Sequence, residues 1–315
     1  MIGVLLLSAG TAFGQDAYPV KPIRLIVPSS PGGGTDTSAR ILAPRMSELL
    51  GQQIVVENRP GASTLIGMEA VARAAPDGYT LLIGNSTMTI LPSMRSKLSV
   101  DPIRDFTAIN KVVESAQVLV THPSLPVRNL KDLLALAKAQ PGKLNYAAGA
   151  PGGNGHLSME LLLSTAGVKI TYVPYKSGNA GLVDTLSGEV TVMMGSILSV
   201  LPHVKNGRLR ALGITSAKRA TGAPEIPTLA EAGLKGYEAS QWFGLLSAAN
   251  TPRPVAAKLH QVSQTALQDA QVRKRIIDDG AEPVSSKSPE DFAAFMRAEV
   301  AKWAKVVKAA GISAK

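Results

Sequence analysis

The stretch that decides the fold is Arg24–Leu42, RLIVPSSPGGGTDTSARIL. The apolar run Ile23–Val27 is rich in β-branched residues and predicts a buried strand. A proline and three consecutive glycines follow, and a helical pattern then continues to about Leu50. Glycines at a strand end let main-chain N–H groups approach a ligand, and a helix starting there adds the positive end of its dipole. This segment therefore predicts an anion site that needs no lysine.

The glycine loop does not match the known nucleotide motifs. Its sequence PGGGTDTS lacks the G-K-[ST] of a P-loop and the third glycine of G-x-G-x-x-G. The later loop PGGNGHLS fails both patterns as well. The two loops therefore argue against a nucleotide ligand.

The same strand, glycine loop and helix return about 120 residues later. Leu144–Ala148 predicts a strand, Gly149–Gly155 forms the loop, and His156–Thr165 predicts a helix. This distance is too long for a solenoid repeat. We therefore expect two similar α/β lobes, each of which offers a loop and a helix N-terminus to a shared cleft.

Strand and helix patterns alternate along the rest of the chain. The other predicted strands are Ile54–Glu57, Tyr79–Ile83, Val118–Thr121, Ile170–Val173, Val190–Met194, Leu209–Ile214 and Trp242–Leu246. The other predicted helices are Thr64–Ala74, Leu130–Ala139, Pro254–Asp269 and Pro289–Ala309. The alternation in the first part predicts a parallel sheet covered by helices.

Composition narrows the function classes. The chain has 315 residues, 45% of them apolar, which suits two domains. It carries a net charge of +10, but its basic residues are dispersed and only 4% of residues are aromatic, so we expect no nucleic-acid partner. The absence of cysteine excludes disulfides and thiolate metal sites, and none of the four histidines is paired at short helical spacing, so neither a metal nor a cofactor is expected. The sequence also lacks G-x-S-x-G and H-E-x-x-H, which argues against an enzyme.

The N-terminus has the pattern of an export signal. Residues Ile2–Phe13 are apolar and uncharged, and small residues precede Gln15, as at a signal-peptide cleavage site. The run is too short to span a bilayer. We expect residues 1–17 to be a signal peptide whose basic start is missing, with a buried N-terminal strand as the alternative. The mature protein would then be exported.

Four side chains near the loops admit two interpretations each. Asp36 lies in the first turn of a helix, where the dipole favours it without any ligand, or it accepts a hydrogen bond from a ligand. Thr35 and Thr37 either cap the helix or donate to a carboxylate. His156 is either a structural hydrogen-bonding group or a ligand contact.

Long blocks of the sequence resemble the Bug family, the extracytoplasmic receptors of tripartite tricarboxylate transporters. The resemblance runs from about Tyr18 to the C-terminus. The blocks that carry it are VPSSPGGGTDTSAR, VVENRPGASTLIGMEAVARAAPDGYTLLIGN, LKDLLALAKAQPGKLNYAAGAPGGNGHLSMELL, YVPYKSGNAGLVDTLSGEV and WFGLLSAANTP.

The resemblance implies a periplasmic-binding-protein fold of the Venus flytrap type, with two α/β lobes and a ligand cleft between them. The lobes would be joined by segments near Val120–Ser124 and Ser240–Leu246. Lobe 1 would then comprise residues 18–121 and 245–315, and lobe 2 residues 122–244.

The resemblance also implies a function. The chain would be a periplasmic, monomeric receptor that captures a small organic carboxylate, such as a dicarboxylate, tricarboxylate, acidic amino acid or aromatic acid. It would hand this ligand to the membrane permease subunits of the transporter. The alternatives are a sensor or co-receptor for a carboxylate and an enzyme acting on a small acid.

The family motifs imply a set of ligand-binding residues. These are Ser30, Gly32, Gly33, Thr35, Asp36, Asn85, Ser86, Thr87, Gly149, Ala150, Asn154, Gly155, His156, Tyr175, Ser177, Ala180 and Ser196. The sequence departs from many relatives at Ser29 and Ser30, where a bulky residue often precedes the proline. Small side chains there would widen the pocket, so the identity of the acid stays open.

Overall fold

The structure is a computed structural model that describes residues 18–149, 151–175 and 177–311. The expected signal peptide and Ala150 lie outside the described residues. The strands are β1 Ile23–Val27, β2 Ile54–Asn58, β3 Thr80–Asn85, β4 Phe106–Ser115, β5 Gln117–Thr121, β6 Asn145–Ala148, β7 Thr171–Pro174, β8 Val192–Ser196, β9 Arg210–Ile214, β10 Gln241–Ala248 and β11 Glu282–Pro283. The helices are α1 Gly34–Leu50, α2 Leu65–Ala72, α3 Thr87–Met94, α4 Leu130–Ala139, α5 Asn154–Ala166, α6 Gly178–Ser187, α7 Ile197–Lys205, α8 Arg253–Gln268, α9 Ala270–Asp278 and α10 Pro289–Ala309.

The first lobe is built on a mixed sheet with the strand order β11-β4-β10-β3-β1-β2. Strand β1 runs parallel to β2 and β3, as the alternating pattern predicted, whereas β10 is antiparallel to β3 and β4. Helices α1, α8 and α9 pack on one face and α2, α3 and α10 on the other. With both faces covered, β1 can be almost wholly apolar, and Leu25, Ile26 and Val27 are buried.

The second lobe repeats this plan with the strand order β7-β6-β8-β5-β9. Strand β6 is parallel to β7 and β8, and β5 is antiparallel to β8 and β9. Helices α4 and α5 pack on one face, and α6 and α7 on the other. In each lobe a parallel strand therefore ends in a glycine loop that leads into a helix.

The chain crosses between the lobes a few residues away from the expected points. The expectation that residues 117–121 belong to lobe 1 is wrong, because β5 pairs with β8 and β9 in the second sheet. Residues 241–244 begin β10 and pair within the first sheet. The crossing at Ala116 lies directly between β4 and β5, and no proline or glycine marks it.

Helix α10 forms a further connection between the lobes. Phe292 and Met296 lie in the core of the first lobe, whereas Trp303 and Val306 lie in that of the second. The expectation assigned the whole helix to lobe 1. The helical spacing of the apolar residues in α10 correctly predicted that they pack in a core. It could not show that the two ends of the helix enter the cores of different lobes.

None of the helices in residues 18–149, 151–175 and 177–311 combines the length and apolar character needed to cross a membrane.

Candidate functional site

The first glycine loop is held by its own helix. Gly32 has a φ of +81°, which glycine adopts without strain, and Gly33 is the extended N-cap of α1 (φ −80°, ψ 162°). The Gly32 N–H donates to Asp36 Oδ2 at 2.9 Å, and the Thr37 N–H donates to the carbonyl of Gly33 at 2.9 Å. The loop is therefore preorganised without a ligand.

Asp36 is the central acceptor of this loop. It is 3% exposed and also accepts from Arg40 Nε at 3.0 Å and from Asn58 Nδ2 at 2.8 Å. Burial tends to raise the pKa of Asp36, but the hydrogen bonds from Arg40, Gly32 and Asn58 outweigh it and hold the pKa below its usual value. Both oxygens are used within the protein, so this carboxylate has a structural role that needs no ligand.

The second glycine loop has the same backbone. Gly152 has a φ of +79°, and Gly153 is the extended N-cap of α5 (φ −70°, ψ 162°). Here the Gly152 N–H donates to Nδ1 of His156 at 3.0 Å. Because Nδ1 accepts, the proton of the neutral ring is on Nε2.

His156 is fixed in a neutral state by its surroundings. It is 5% exposed and stacks on Tyr172 with ring centroids 4.0 Å apart. Burial lowers the pKa of His156 to about 4. The Tyr172 hydroxyl in turn donates to the carbonyl of Gly149. The stacked pair of His156 and Tyr172 therefore holds the second glycine loop at both Gly152 and Gly149.

Hydrogen bonds join the starts of three helices across the lobes. Asn85 Nδ2 donates to Thr35 Oγ1 at 3.1 Å, and Asn85 Oδ1 accepts from the Thr87 N–H at 3.1 Å. The Ser86 hydroxyl then donates to Asn154 Oδ1 at 3.2 Å. The path Thr35–Asn85–Ser86–Asn154 therefore links α1, α3 and α5 and brings the two glycine loops to the same contact between the lobes.

These helix starts differ from several helices elsewhere. Asn129, Asp269 and Ser288 cap α4, α9 and α10 through their side chains. Among the described residues no N-cap side chain caps α1 or α5, whereas Asn85 Oδ1 accepts the Thr87 N–H at the start of α3. The first N–H groups of a helix have no partner within it, so those of α1 and α5 remain available to an anion at the cleft.

The other expected site residues lie around the second loop or at the edge of the cleft. Ser177 caps α6 by accepting from the Ala180 N–H at 3.2 Å, and the Tyr175 hydroxyl donates to Asp184 Oδ2 at 2.7 Å. These polar groups already have partners inside the protein, so their contact with a ligand stays a prediction.

Three expected positions are main chain or exposed groups. A β-carbon built on Gly149 would lie 3.4 Å from the nitrogen of Gly178 at the start of α6. Ser30 and Ser196 are exposed, and Ser196 lines a cavity of about 230 Å³ together with Gly32 and Gly34. Ser196 therefore lies at the same cavity as the first glycine loop, whereas Gly149 packs against the start of α6.

A larger cleft of about 990 Å³ has a different lining. Of the expected site residues, Thr87 and His156 line it, and so does Gly152, which was not among them. It is also lined by residues that sequence reasoning did not select, namely Ser63, Ile90, Leu91, Met94, Arg95, Ser96, Lys97, Pro151, Glu160, Tyr172 and Ala310. The described residues contain no group of three His, Cys, Asp or Glu side chains that could hold a metal ion.

Comparisons with known proteins identify the family of the chain. Residues 38–312 match the model of the tripartite tricarboxylate transporter family receptor. The chain is 37% identical to the protein BugT of Bordetella pertussis over 323 residues, covering 100% of this chain and 98% of BugT.

Two solved structures have the same fold. R. palustris Rpa4515, determined with adipate, is 35% identical, with a TM-score of 0.78 over 95% of this chain and 100% of that chain. The periplasmic binding protein BugD is 33% identical, with a TM-score of 0.75 over 95% of this chain and 100% of that one. The expected periplasmic-binding-protein fold is thereby confirmed.

Proposed function

The chain belongs to the tripartite tricarboxylate transporter receptor family, and on that premise we propose that it is an exported receptor for a small organic carboxylate. The receptor acts as a monomer in the periplasm and passes its ligand to membrane permease subunits. The adipate in Rpa4515 supports an acid as the ligand class.

One observation carries this proposal: the starts of α1 and α5, which no N-cap side chain caps, are joined through the start of α3 where the lobes face each other. A carboxylate loses its hydration in a closing cleft, which is costly unless other donors replace the water. Each hydrogen bond to a charged group nets about 1.5–3 kcal/mol. Micromolar affinity corresponds to about 8 kcal/mol, so a few such bonds with some apolar contact suffice.

The roles of Asp36 and His156 support binding over turnover. A general acid or base needs a free lone pair or proton directed at the substrate. Asp36 uses both oxygens to accept from Gly32, Arg40 and Asn58, and Nδ1 of His156 accepts from Gly152. These two titratable groups therefore shape the main chain that receives the ligand.

The proposal is tested by thermal unfolding of the mature protein with a panel of organic acids, followed by calorimetric titration of each acid that stabilises it. A ligand that binds only the folded state raises the unfolding temperature. We expect at least one acid to stabilise the protein, and its amide or methyl ester to do so much less. If no acid stabilises the protein, and native mass spectrometry finds no bound acid in it as purified, the proposal fails.

A further inference from the structure

His156 holds the second glycine loop through one ring nitrogen, Nδ1, which accepts the Gly152 N–H at 3.0 Å. This bond exists only while Nδ1 carries no proton, because both ring nitrogens are donors in a protonated histidine. The corresponding acceptor in the first loop is the carboxylate of Asp36, which accepts from Gly32 at 2.9 Å. Burial tends to raise the pKa of Asp36, but its hydrogen bonds hold the pKa below the usual value, so it remains an acceptor in mild acid. Of the two loops, the second is therefore the one whose acceptor acid can remove.

A partner for the protonated ring already lies beside it. Nε2 of His156 is 3.9 Å from Oε1 of Glu160, one turn further along α5, which is beyond hydrogen-bonding reach. The same Oε1 accepts from the Tyr146 hydroxyl at 2.6 Å, which fixes the carboxylate in place. A movement of the ring by about 1 Å would close the gap to a hydrogen bond. The ring therefore has two alternative partners: Gly152 through Nδ1 when it is neutral, and Glu160 through Nε2 when it is protonated.

The surroundings of the ring keep it neutral at neutral pH. Burial lowers the pKa of His156 to about 4, and the cationic side chains of Arg95 and Lys97 line the same cleft as the ring. Burial raises the pKa of Tyr146 and of Tyr172, which stack on the ring, so both hydroxyls stay protonated throughout the acid range. Because His156 lines the larger cleft, protons from the solvent can reach it. Acid therefore changes the charge of the ring and leaves its aromatic neighbours unchanged.

We propose that His156 is an acid-operated switch of the second glycine loop: protonation moves the ring from Gly152 to Glu160, frees the loop and so weakens the hold of the second lobe on the ligand. The step transfers one proton from water to Nδ1 and breaks no other covalent bond of the protein. The positive charge gained by the ring is offset by Glu160, so attraction between the ring and a bound anion does not compensate for the loss of the ordered loop. This inference rests on the proposed function and adds acid as a condition for ligand release.

The switch is tested first without ligand, by an amide NMR titration of the mature protein from neutral pH down to the pKa of His156, about 4. We expect the Gly152 amide to shift together with the ring of His156, whereas the Gly32 amide, the reference within the same molecule, stays constant. His156→Asn offers an acceptor that does not titrate, so its Gly152 amide should not shift. Glu160→Gln keeps an oxygen for Tyr146 but removes the partner of the protonated ring, so the shift should move to lower pH. A constant Gly152 amide while the ring titrates, or an unchanged midpoint in Glu160→Gln, would overturn the switch.

Calorimetry then connects the switch to binding. The probe is whichever of succinate, citrate, glutamate and benzoate most stabilises the wild type, and comparison with His156→Asn at each pH cancels the titration of the probe itself. About half of the ligand-free wild type is protonated at the pKa of His156, so the ratio of wild-type to variant affinity should fall there to about half of its neutral value.

The outcomes separate the switch from the receptor. An affinity ratio that does not change with pH would overturn release by acid while leaving the receptor function standing. If none of the acids binds, the proposed function fails and release by acid fails with it, whereas the NMR titration still decides whether His156 switches the loop.

Discussion

Asp36 and His156 occupy the same position in the two glycine loops. Each lies four residues after a glycine with φ near +80° and accepts the N–H of that glycine, at 2.9 Å for Gly32 and 3.0 Å for Gly152. One acceptor is a carboxylate paired with Arg40, and the other is a neutral imidazole. The two lobes therefore present similar main-chain surfaces to the cleft, and neither acceptor brings an uncompensated negative charge near a bound anion.

We predict that Asp36→Ala destabilises the protein and impairs binding. Without its acceptor the Gly32 N–H loses its partner, and the free energy of unfolding should fall by about 2 kcal/mol. Asp36→Asn should recover part of this loss, because its side-chain oxygen can still accept from Gly32. Chemical denaturation of the three proteins measures their free energies of unfolding. An Asp36→Ala variant as stable as the wild type would show that the first glycine loop keeps its conformation without the acceptor for Gly32.

The lowered pKa of His156 predicts that the protein loses stability in mild acid. Its pKa is about 4 in the folded protein and near its ordinary 6.5 when unfolded, so between these values the unfolded chain takes up a proton that the folded chain does not. The stabilisation present above pH 6.5 should therefore fall as the pH drops towards 4, by up to about 3 kcal/mol.

The matched variant for this measurement is His156→Asn, whose oxygen can replace Nδ1 as the acceptor for Gly152 but does not titrate. The difference between wild type and variant in the free energy of unfolding should change between pH 6.5 and 4 and be constant above. Parallel pH profiles for the two proteins would contradict the assignment.

Glycine is needed at Gly155 for a reason other than ligand approach. A β-carbon there would lie 2.9 Å from the carbonyl oxygen of Met194 in β8, whereas one at Gly33 would meet atoms no closer than 3.6 Å. We expect Gly155→Ala to lower the free energy of unfolding by about 1–3 kcal/mol, as overpacking does, and Gly33→Ala to leave it nearly unchanged. Equal stabilities of the two variants would argue against tight packing of α5 on β8.

The turn before α2 stores strain at the edge of the cleft. Ala62, Ser63 and Thr64 have φ values of +47°, +56° and +80°, which are unfavourable for residues other than glycine. We expect Ser63→Gly to raise the free energy of unfolding by about 0.5–1 kcal/mol, and the control Ser63→Ala to leave it unchanged. Thermal unfolding of both variants checks this, and a destabilised Ser63→Gly protein would contradict it.

Local sequence patterns predicted much of the fold. Strand β1, helix α4 and helix α10 have the predicted bounds, because apolar periodicity and turn residues define them on both sides. Strand β4 was not predicted, since its pattern includes Asn110, Lys111 and Glu114. Asn110 is buried and hydrogen-bonded to Ser286 and Ser263, partners that lie far away in the sequence.

Contacts between residues that are far apart in the sequence also limited the prediction of the candidate site. Glycines reveal where the main chain is accessible, so both loops could be located from the sequence. The partners of Asp36, the stacking of Tyr172 on His156 and the side of α3 that carries Arg95 depend on tertiary contacts. Each of these features involves single residues that follow no recognisable spacing in the sequence. Only the structure therefore shows that they lie at the cleft.

The most direct test of the central claim, that main-chain N–H groups at the helix starts hold a carboxylate, is the affinity of Gly33→Val for the acid that most stabilises the wild type. Gly33 has extended backbone angles that valine adopts readily and no atom within 3.5 Å of a β-carbon, so the ligand-free variant should unfold like the wild type. A branched side chain there would block the approach of the acid, and we predict at least a 100-fold loss of affinity by calorimetry. Wild-type affinity in a folded Gly33→Val protein would contradict the account.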